Sequence, residues 1–339
     1  MKLFFRDCLL IGAALSCLGR GTVYKEEQTV MGPIIARITA VSGHLSEKEM
    51  QSAVKAAFAE IHEIDALMSN YKPDSDISRL NEAEENVWVR VDRLTFTVLE
   101  ESQKFSRLTE GAFDATVMPL SELWGFWPVR DLDVPSEEEI KETLSHVGYK
   151  KVSLDQTNSA VQKSDPEVKV DLGGIAKGYA VDRAMDVLKR QGLTDALVEI
   201  GGETRALGKN KKGKPWRIGV LHPAKRGYLT ILDLSNRAVA TSGDYMSFFI
   251  LDGKRYSHLI DPRTGKPITN DVASVTVIAK SCLQADALAT AISIMGVEEG
   301  LKLVESLPGT EAIIARRKDG GTELETHVSR GLRGLKLTP

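Results

Sequence analysis

The 339-residue chain holds three cysteines, and two of them, Cys8 and Cys17, fall ahead of Gly21. Cys282 is then alone in the remaining body, so no intramolecular disulfide is available there. The fold must rest on its core, which a chain of this length is able to bury. Cys282 itself reads as a small buried hydrophobe. No Cys-x-x-Cys or His-Glu-x-x-His spacing occurs, which argues against a zinc site. No Gly-x-Ser-x-Gly elbow occurs, which argues against a serine hydrolase. Charge of one sign is also lacking: the formal net charge is −3 with both signs mixed, so no broad basic face for nucleic acid is implied. No long apolar run follows Leu18 and the mean hydropathy is −0.16, which argues against a membrane-spanning body. There is no tandem repeat, low-complexity tract or clear linker. What is present is ordinary for a globular protein, with 42% hydrophobic and 27% charged residues. The length suits two ordinary domains or one large one, and without a linker a single interlocked globular body is expected.

The N-terminal stretch differs from the rest. Lys2 and Arg6 precede an apolar run from Cys8 to Leu18, too short to span a bilayer but suited to a secretory signal. Ala14-Leu15-Ser16-Cys17 resembles the lipobox of bacterial lipoproteins, although Leu is more usual than Ala at its first position. Ordinary signal cleavage near Gly19 or Gly21 is the alternative, and Asp7 is an awkward charge in either. The expectation is a signal peptide over 1–20 and a folded body over 21–339, exported to the bacterial periplasm and held at the inner membrane if Cys17 is lipidated.

Within the body, GPIIARITAVSG reads as a strand. The segment from Ser46 reads as a long helix, opened by a Ser46/Glu49 capping box and striped by Met50, Val54, Phe58, Ile61, Ile64 and Met68. KPDSDISRLN reads as a polar loop, VWVRV as a short strand, and Leu94–Leu108 as a helix. GAFDATVMPLSELWGFWP reads as an irregular aromatic-rich connector. Ser136 and Glu139 form a second capping box before another helix. KVSLD, AVQK and VKVDL read as strands, and a helix ended by Gly192 follows. Ala196 to Ala279 reads mostly as strands, with a hairpin turn at Asp252-Gly253. Helices are expected near Gln284–Met295 and Val297–Leu307, then a hairpin turning at Asp319-Gly320-Gly321. Strands in runs and helices in separate blocks predict an α+β fold of mostly antiparallel sheets with packed helices.

Several segments carry candidate chemistry. In VKVDLGGIAKGYAVDRAM a glycine turn feeds a helix N-terminus, where free N–H groups suit a phosphate. It is not Gly-x-x-x-x-Gly-Lys-[Ser/Thr], because Lys177 precedes Gly178, and a plain strand-to-helix turn is the simpler reading. Asp171 at its start and Lys177 one turn into the helix place charge where an anionic or carbonyl group would sit. In LQADALATAISIMG, Asp286 and Thr290 stand at i and i+4, two hard oxygen donors suited to Mg²⁺ shared with a phosphate; the bland alternative is a helix-dipole Asp and a tucked Thr. In RYSHLIDPRTGKPI, His258 ends a strand beside a charged turn, as a general base or as a structural histidine. In GAFDATV, Ala112, Phe113 and Asp114 offer an aromatic face and a carboxylate to a planar ring, or a hydrophobic plug with a turn-forming Asp.

Together, MGPIIA, SNYKPDSDISRLN, GAFDATVMPLSELWGF, DLGGIAKGYAVDR, ALVEIGGETRALG, WRIGV, AVATSGDY, YSHLIDPRTGKPI and SVTVIAKSCLQADALATAISIMG, in this order, closely resemble the ApbE family of FAD:protein FMN transferases over about Met31 to Gly296. The resemblance implies an ApbE-like (T-fold-like) fold. It also implies Mg²⁺-dependent transfer of FMN from FAD to a Thr or Ser hydroxyl of a target flavoprotein, with release of AMP. The targets it implies are exported domains of respiratory electron-transfer complexes, of the sodium-pumping NADH:quinone oxidoreductase or Rnf type. By motif, Met31, Tyr71, Ala112, Phe113, Asp114, Asp171, Lys177 and Ile260 would contact FAD. Gly174 and Ala289, through their carbonyls, would join Asp286 and Thr290 around Mg²⁺. The acceptor hydroxyl benefits from a nearby base, for which His258 is the candidate, with orientation of the target loop as its alternative role. Gly-Pro after Met31 departs from the Gly-Thr of many members, so a contact made by that Thr would be lost. Two alternatives remain at this stage: an FAD pyrophosphatase giving FMN and AMP, and a periplasmic FAD-binding lipoprotein.

Overall fold

In the computed structural model, which describes residues 21–126, 134–244, 247–251, 254–318, 321 and 323–337, both capping boxes form. Ser46 Oγ accepts the Glu49 N–H while Glu49 returns a carboxylate to Ser46 N, opening helix α1 over Glu47–Met68. The expected stripe of α1 is its buried face. Seven further α-helices follow among the described residues: α2 (Asp76–Glu82), α3 (Arg93–Leu108), α4 (Met118–Leu123), α5 (Glu137–Leu144), α6 (Ala176–Arg190), α7 (Cys282–Met295) and α8 (Val297–Ser306). The leader with Cys17, and Asp252-Gly253 and Asp319-Gly320, lie outside the described residues. The strands flanking both pairs of turn residues do pair antiparallel, Leu251 opposite Lys254 and Arg317 opposite Leu324.

One eight-stranded sheet organises the molecule. Across it run Thr22–Val30, Ile34–Ser42, Asp195–Ile200, Glu203–Leu207, Arg237–Gly243, Val272–Ala279, Glu311–Arg317 and Leu324–Val328, every neighbour antiparallel. Alternation sorts its side chains onto two faces. Ile38, Val198, Ala240, Val277 and Ile314 point into the main core with α1, α6 and α7. Val41, Val239, Ile278 and Ile313 point into a second core, under the hairpin Trp216–Leu221/Tyr228–Leu234 and the tail residues Leu332, Leu335 and Leu337. Val272–Ala279 is buried along its whole length because both of its faces are covered. Blocks of helices against an antiparallel sheet make the α+β class that the sequence predicts.

Three local expectations change, and one strand is added. KPDSDISRLN contains α2, since Ser75 Oγ accepts the Ser78 N–H and caps a helix inside an otherwise polar run. The connector after Phe113 contains the short α4, started by Pro119. VKVDL joins no sheet: the Asn81 side chain of α2 takes the Val170 N–H and Ala115 O takes the Asp171 N–H, so these backbone groups are satisfied by a helix side chain and a loop carbonyl instead of a strand. Thr22–Val30, with no expectation attached, is an edge strand paired to Ile34–Ser42; its burial alternates from Tyr24 to Val30, but the inward positions include Glu26 and Gln28, so no apolar period shows in the sequence.

Candidate active site

The site grows from the crossing of α6 and α7. Gly178 sits at the contact: a Cβ there would lie 2.4 Å from Cys282 O and 2.8 Å from Asp286 Cβ, so only glycine lets the helices approach this closely. One turn on, buried Asp182 of α6 accepts the N–H groups of Cys282 and Leu283 and caps the start of α7, while Arg205 holds its carboxylate at 2.8 Å. The Gly178 N–H also donates to Asp286 Oδ2 at 2.9 Å. Helix α6 therefore fixes both the register and the direction of the α7 carboxylate. Because α7 begins at Cys282, Asp286 and Thr290 do stand on one helical face. A Cβ on Gly174 would lie 3.3 Å from Thr290 Oγ1 and 3.2 Å from the Phe113 ring, so the glycine turn is pressed against both.

These elements wall a cleft of about 470 Å³, within the ordinary size range of small-molecule sites. Tyr71, Ala112, Phe113, Asp114, Asp171, Gly174, Lys177, His258, Ile260, Asp286 and Thr290 all line it, although they come from separated segments of the chain. Met31 and Ala289 do not line it. Met31 occupies the turn between the first two strands at φ 48° and packs against the main core. The Ala289 carbonyl is buried and accepts the Ser293 hydroxyl at 2.8 Å.

The floor is charged. Lys177 Nζ lies 2.5 Å from Glu203 Oε1 and 3.8 Å from Asp286 Oδ1. Burial pushes the Asp286 carboxyl up to about 7, with Glu203 and Asp182 adding to the rise and Lys177 and the Gly178 N–H opposing it. Burial pulls the Lys177 ammonium down, but Asp286 and Glu203 outweigh it and hold it above its usual range. Asp171 is raised by burial, against the Gly173 N–H at 2.8 Å and the Asn70 amide. Asp114 is also raised by burial, yet both its oxygens are engaged, by Thr116 N and Oγ1 and by Tyr149 N at 2.7 Å. It braces the Phe113 loop as well as facing the cleft.

His258 stands in a break between the strands Lys254–Ser257 and Ile260–Asp261. Its Nδ1 is 2.9 Å from Ser247 O, and a carbonyl only accepts, so Nδ1 carries the proton and Nε2 keeps its lone pair. Burial lowers its pKa, which favours the neutral ring. Exposed Tyr71 stands at the rim and buried Phe113 at the inner wall, edge-on to Phe105 at 6.4 Å.

Two groups of residues escaped the sequence reading. Asn81 both accepts the Val170 N–H and donates to Val170 O, and it passes a hydrogen bond to Asn70, which reaches Asp171. Glu203 lies on the cleft floor with Lys177. Asn70, Asn81 and Glu203 all fall inside segments singled out for other reasons, and only their spatial convergence reveals them.

The donors present fit Mg²⁺. Asp286 and Thr290 offer hard oxygens beside the carbonyl-bearing Gly174 turn, and among the described residues no cluster of three or more His, Cys, Asp or Glu forms a softer or self-sufficient cage. A magnesium ion is typically completed by water and substrate phosphate.

A model of the ApbE family matches residues 31–314. The chain is 40% identical over 284 residues to the FAD:protein FMN transferase of Vibrio cholerae serotype O1, covering 83% of this chain and 84% of that one. It is 35% identical over 329 residues to the FAD:protein FMN transferase of Haemophilus influenzae, covering 94% and 92%. The solved flavin transferase ApbE from Vibrio cholerae superposes with a TM-score of 0.82 at 36% identity, over 93% of this chain and 100% of that one.

Proposed function

The chain belongs to the ApbE family and is a transferase enzyme, and from that premise we propose that it is a Mg²⁺-dependent FAD:protein FMN transferase. It would split FAD between its phosphates and join FMN to a Thr or Ser hydroxyl of an acceptor protein, releasing AMP. The observation that carries this reading is the convergence, in one cleft, of the Asp286/Thr290 pair, the Gly174 turn, a neutral histidine and two aromatic rings at different depths.

Each residue has work to do on this reading. Tyr71 and Phe113 would sandwich or edge the isoalloxazine, since a planar ring gains most from aromatic faces. Asp171, held by Asn70 and the Gly173 N–H, would accept hydrogen bonds from the ligand, and Ile260 would pack against it. The turn N–H groups before α6 and the Lys177 ammonium would meet phosphate charge. Asp286 and Thr290, with the Gly174 carbonyl, would hold the metal; the Ala289 carbonyl, buried outside the cleft lining and taken by the Ser293 hydroxyl, leaves the expected set. Bound there, Mg²⁺ would neutralise pyrophosphate oxygens, make the phosphorus more electrophilic and stabilise departing AMP. The acceptor hydroxyl forms the new P–O bond as the pyrophosphate P–O bond breaks. Its proton passes to His258 Nε2, which is free to take it because Nδ1–H is tied to Ser247 O.

We propose that the enzyme works in the bacterial periplasm, exported by the leader that precedes Gly21 and held at the inner membrane if Cys17 is lipidated. Its acceptors would be exported domains of quinone oxidoreductase or Rnf-type complexes. The test is direct: incubate the protein with FAD, Mg²⁺ and such an acceptor domain, then separate the mixture under denaturing conditions. Flavin fluorescence that stays with the acceptor is expected; its absence alongside AMP release would favour hydrolysis, and no AMP at all would overturn both.

A further inference from the structure

Glu203 has no place in the ligand set above, yet its setting is the most unusual in the cleft. It is the first residue of its strand, delivered by a tight turn at Gly201-Gly202, where both φ values are positive (63° and 122°). The residue is 3% exposed and lines the cleft, and only one of its carboxylate oxygens is used. Oε1 binds Lys177 Nζ at 2.5 Å, while Oε2 is buried without a partner. A buried carboxylate with an idle oxygen is costly, so the position calls for a reason.

That reason lies in how one ammonium is divided between two carboxylates. Lys177 is 2.5 Å from Glu203 but 3.8 Å from Asp286, so the close ion pair is with the residue that ligates nothing in the proposed set. Were Lys177 to settle on Asp286, a cation would already occupy the oxygen that a divalent metal needs. We propose that Glu203 is a positioning residue that sequesters the Lys177 ammonium and so leaves Asp286 Oδ1 available to the divalent cation. This rests on the Mg²⁺ reading above. It also accounts for a lysine beside a cation site: the lysine is kept within reach of substrate phosphate, and its charge is balanced by Glu203.

The test measures metal binding alone, with Mn²⁺ as the probe, by electron paramagnetic resonance on FAD-free protein at pH 8. Glu203→Gln is expected to weaken Mn²⁺ by about tenfold or more, the usual cost of losing an outer partner of a metal ligand. Lys177→Met placed on top of Glu203→Gln removes the competing cation and should restore binding. Glu203→Asp keeps the charge but withdraws the carboxylate by one methylene, so it should also weaken Mn²⁺, because Lys177 is no longer held. Far-ultraviolet circular dichroism and melting temperature confirm that each variant is folded. Binding by Glu203→Gln equal to the native chain would overturn the inference. Failure of Lys177→Met to rescue would make Glu203 a direct ligand, and native-like binding by Glu203→Asp would reduce its effect to general charge; either result also overturns it. A native chain that binds no Mn²⁺ would instead sink the metal reading itself.

Discussion

Asp286 is the residue on which the chemistry and its pH dependence both turn. On the proposed reading metal binding needs its carboxylate, and burial lifts its pKa from the ordinary 3.8 to about 7. Divalent-cation affinity should therefore fall by about tenfold per pH unit below 7 and level off above it; a Mn²⁺ titration at pH 6, 7 and 8 checks this. The sign for stability is opposite in metal-free protein. There the folded state holds a proton that the unfolded chain has already lost, so Asp286 favours folding at low pH and that contribution fades as pH rises towards 7. Melting curves in chelator, compared for the native chain and Asp286→Asn, would show it. Asn81→Ala removes both hydrogen bonds to Val170 and the support of Asn70. It should cost about 1–3 kcal/mol and raise the KM for FAD through Asp171, with a smaller effect on kcat.

At the scale of elements, the packing of α6 on α7 positions the reactive groups. Gly178→Ala would push a methyl into the Cys282 carbonyl, a backbone atom with no rotamer to escape into. Overpacking of this kind costs about 1–3 kcal/mol. Because the Gly178 N–H also aims Asp286, turnover should fall far more than thermal stability does; a variant with native turnover would show that the close crossing is not needed. Here the sequence was legible where period and capping agree. Ser46 with Glu49 and Ser136 with Glu139 announce α1 and α5, and Asp286 and Thr290 are four apart on a helix that does begin before them. It was less legible at α2, whose cap Ser75 lies within a run of polar residues that looks like a loop. It misled at Val168–Leu172, where alternating burial is real but the hydrogen-bonding partners are an asparagine side chain and a loop carbonyl. Periodicity reports which side is buried, and it cannot say what the backbone bonds to.

Across the whole molecule the sheet separates two tasks. One face carries α6 and α7 and with them the cleft; the other is closed by a hairpin and the chain's last turns, tied by the Thr230 hydroxyl to Lys336 O at 2.7 Å. Removing residues 330–339 should uncover part of the second core around Leu232 and Ile313. The expected result is a lower melting temperature with little change in KM for FAD at a permissive temperature, and a large change in KM would show that the two faces are coupled. The antiparallel α+β plan was readable from runs of strands and blocks of helices. The convergence of residues far apart in the chain was not, because spacing along the chain carries no distance between Tyr71 and Asp286; the ordered motifs of the ApbE family supplied it. Glu203 stands out only in three dimensions, through one idle oxygen and the unequal distances of Lys177 from Glu203 and Asp286. The central claim, that the cleft transfers FMN to a protein hydroxyl, is tested most directly by nucleotide accounting with an acceptor domain, FAD and Mg²⁺. One AMP released for each FMN ester on the acceptor, measured by chromatography and intact mass, is the predicted result; AMP matched by free FMN, with the acceptor's mass unchanged, would contradict it.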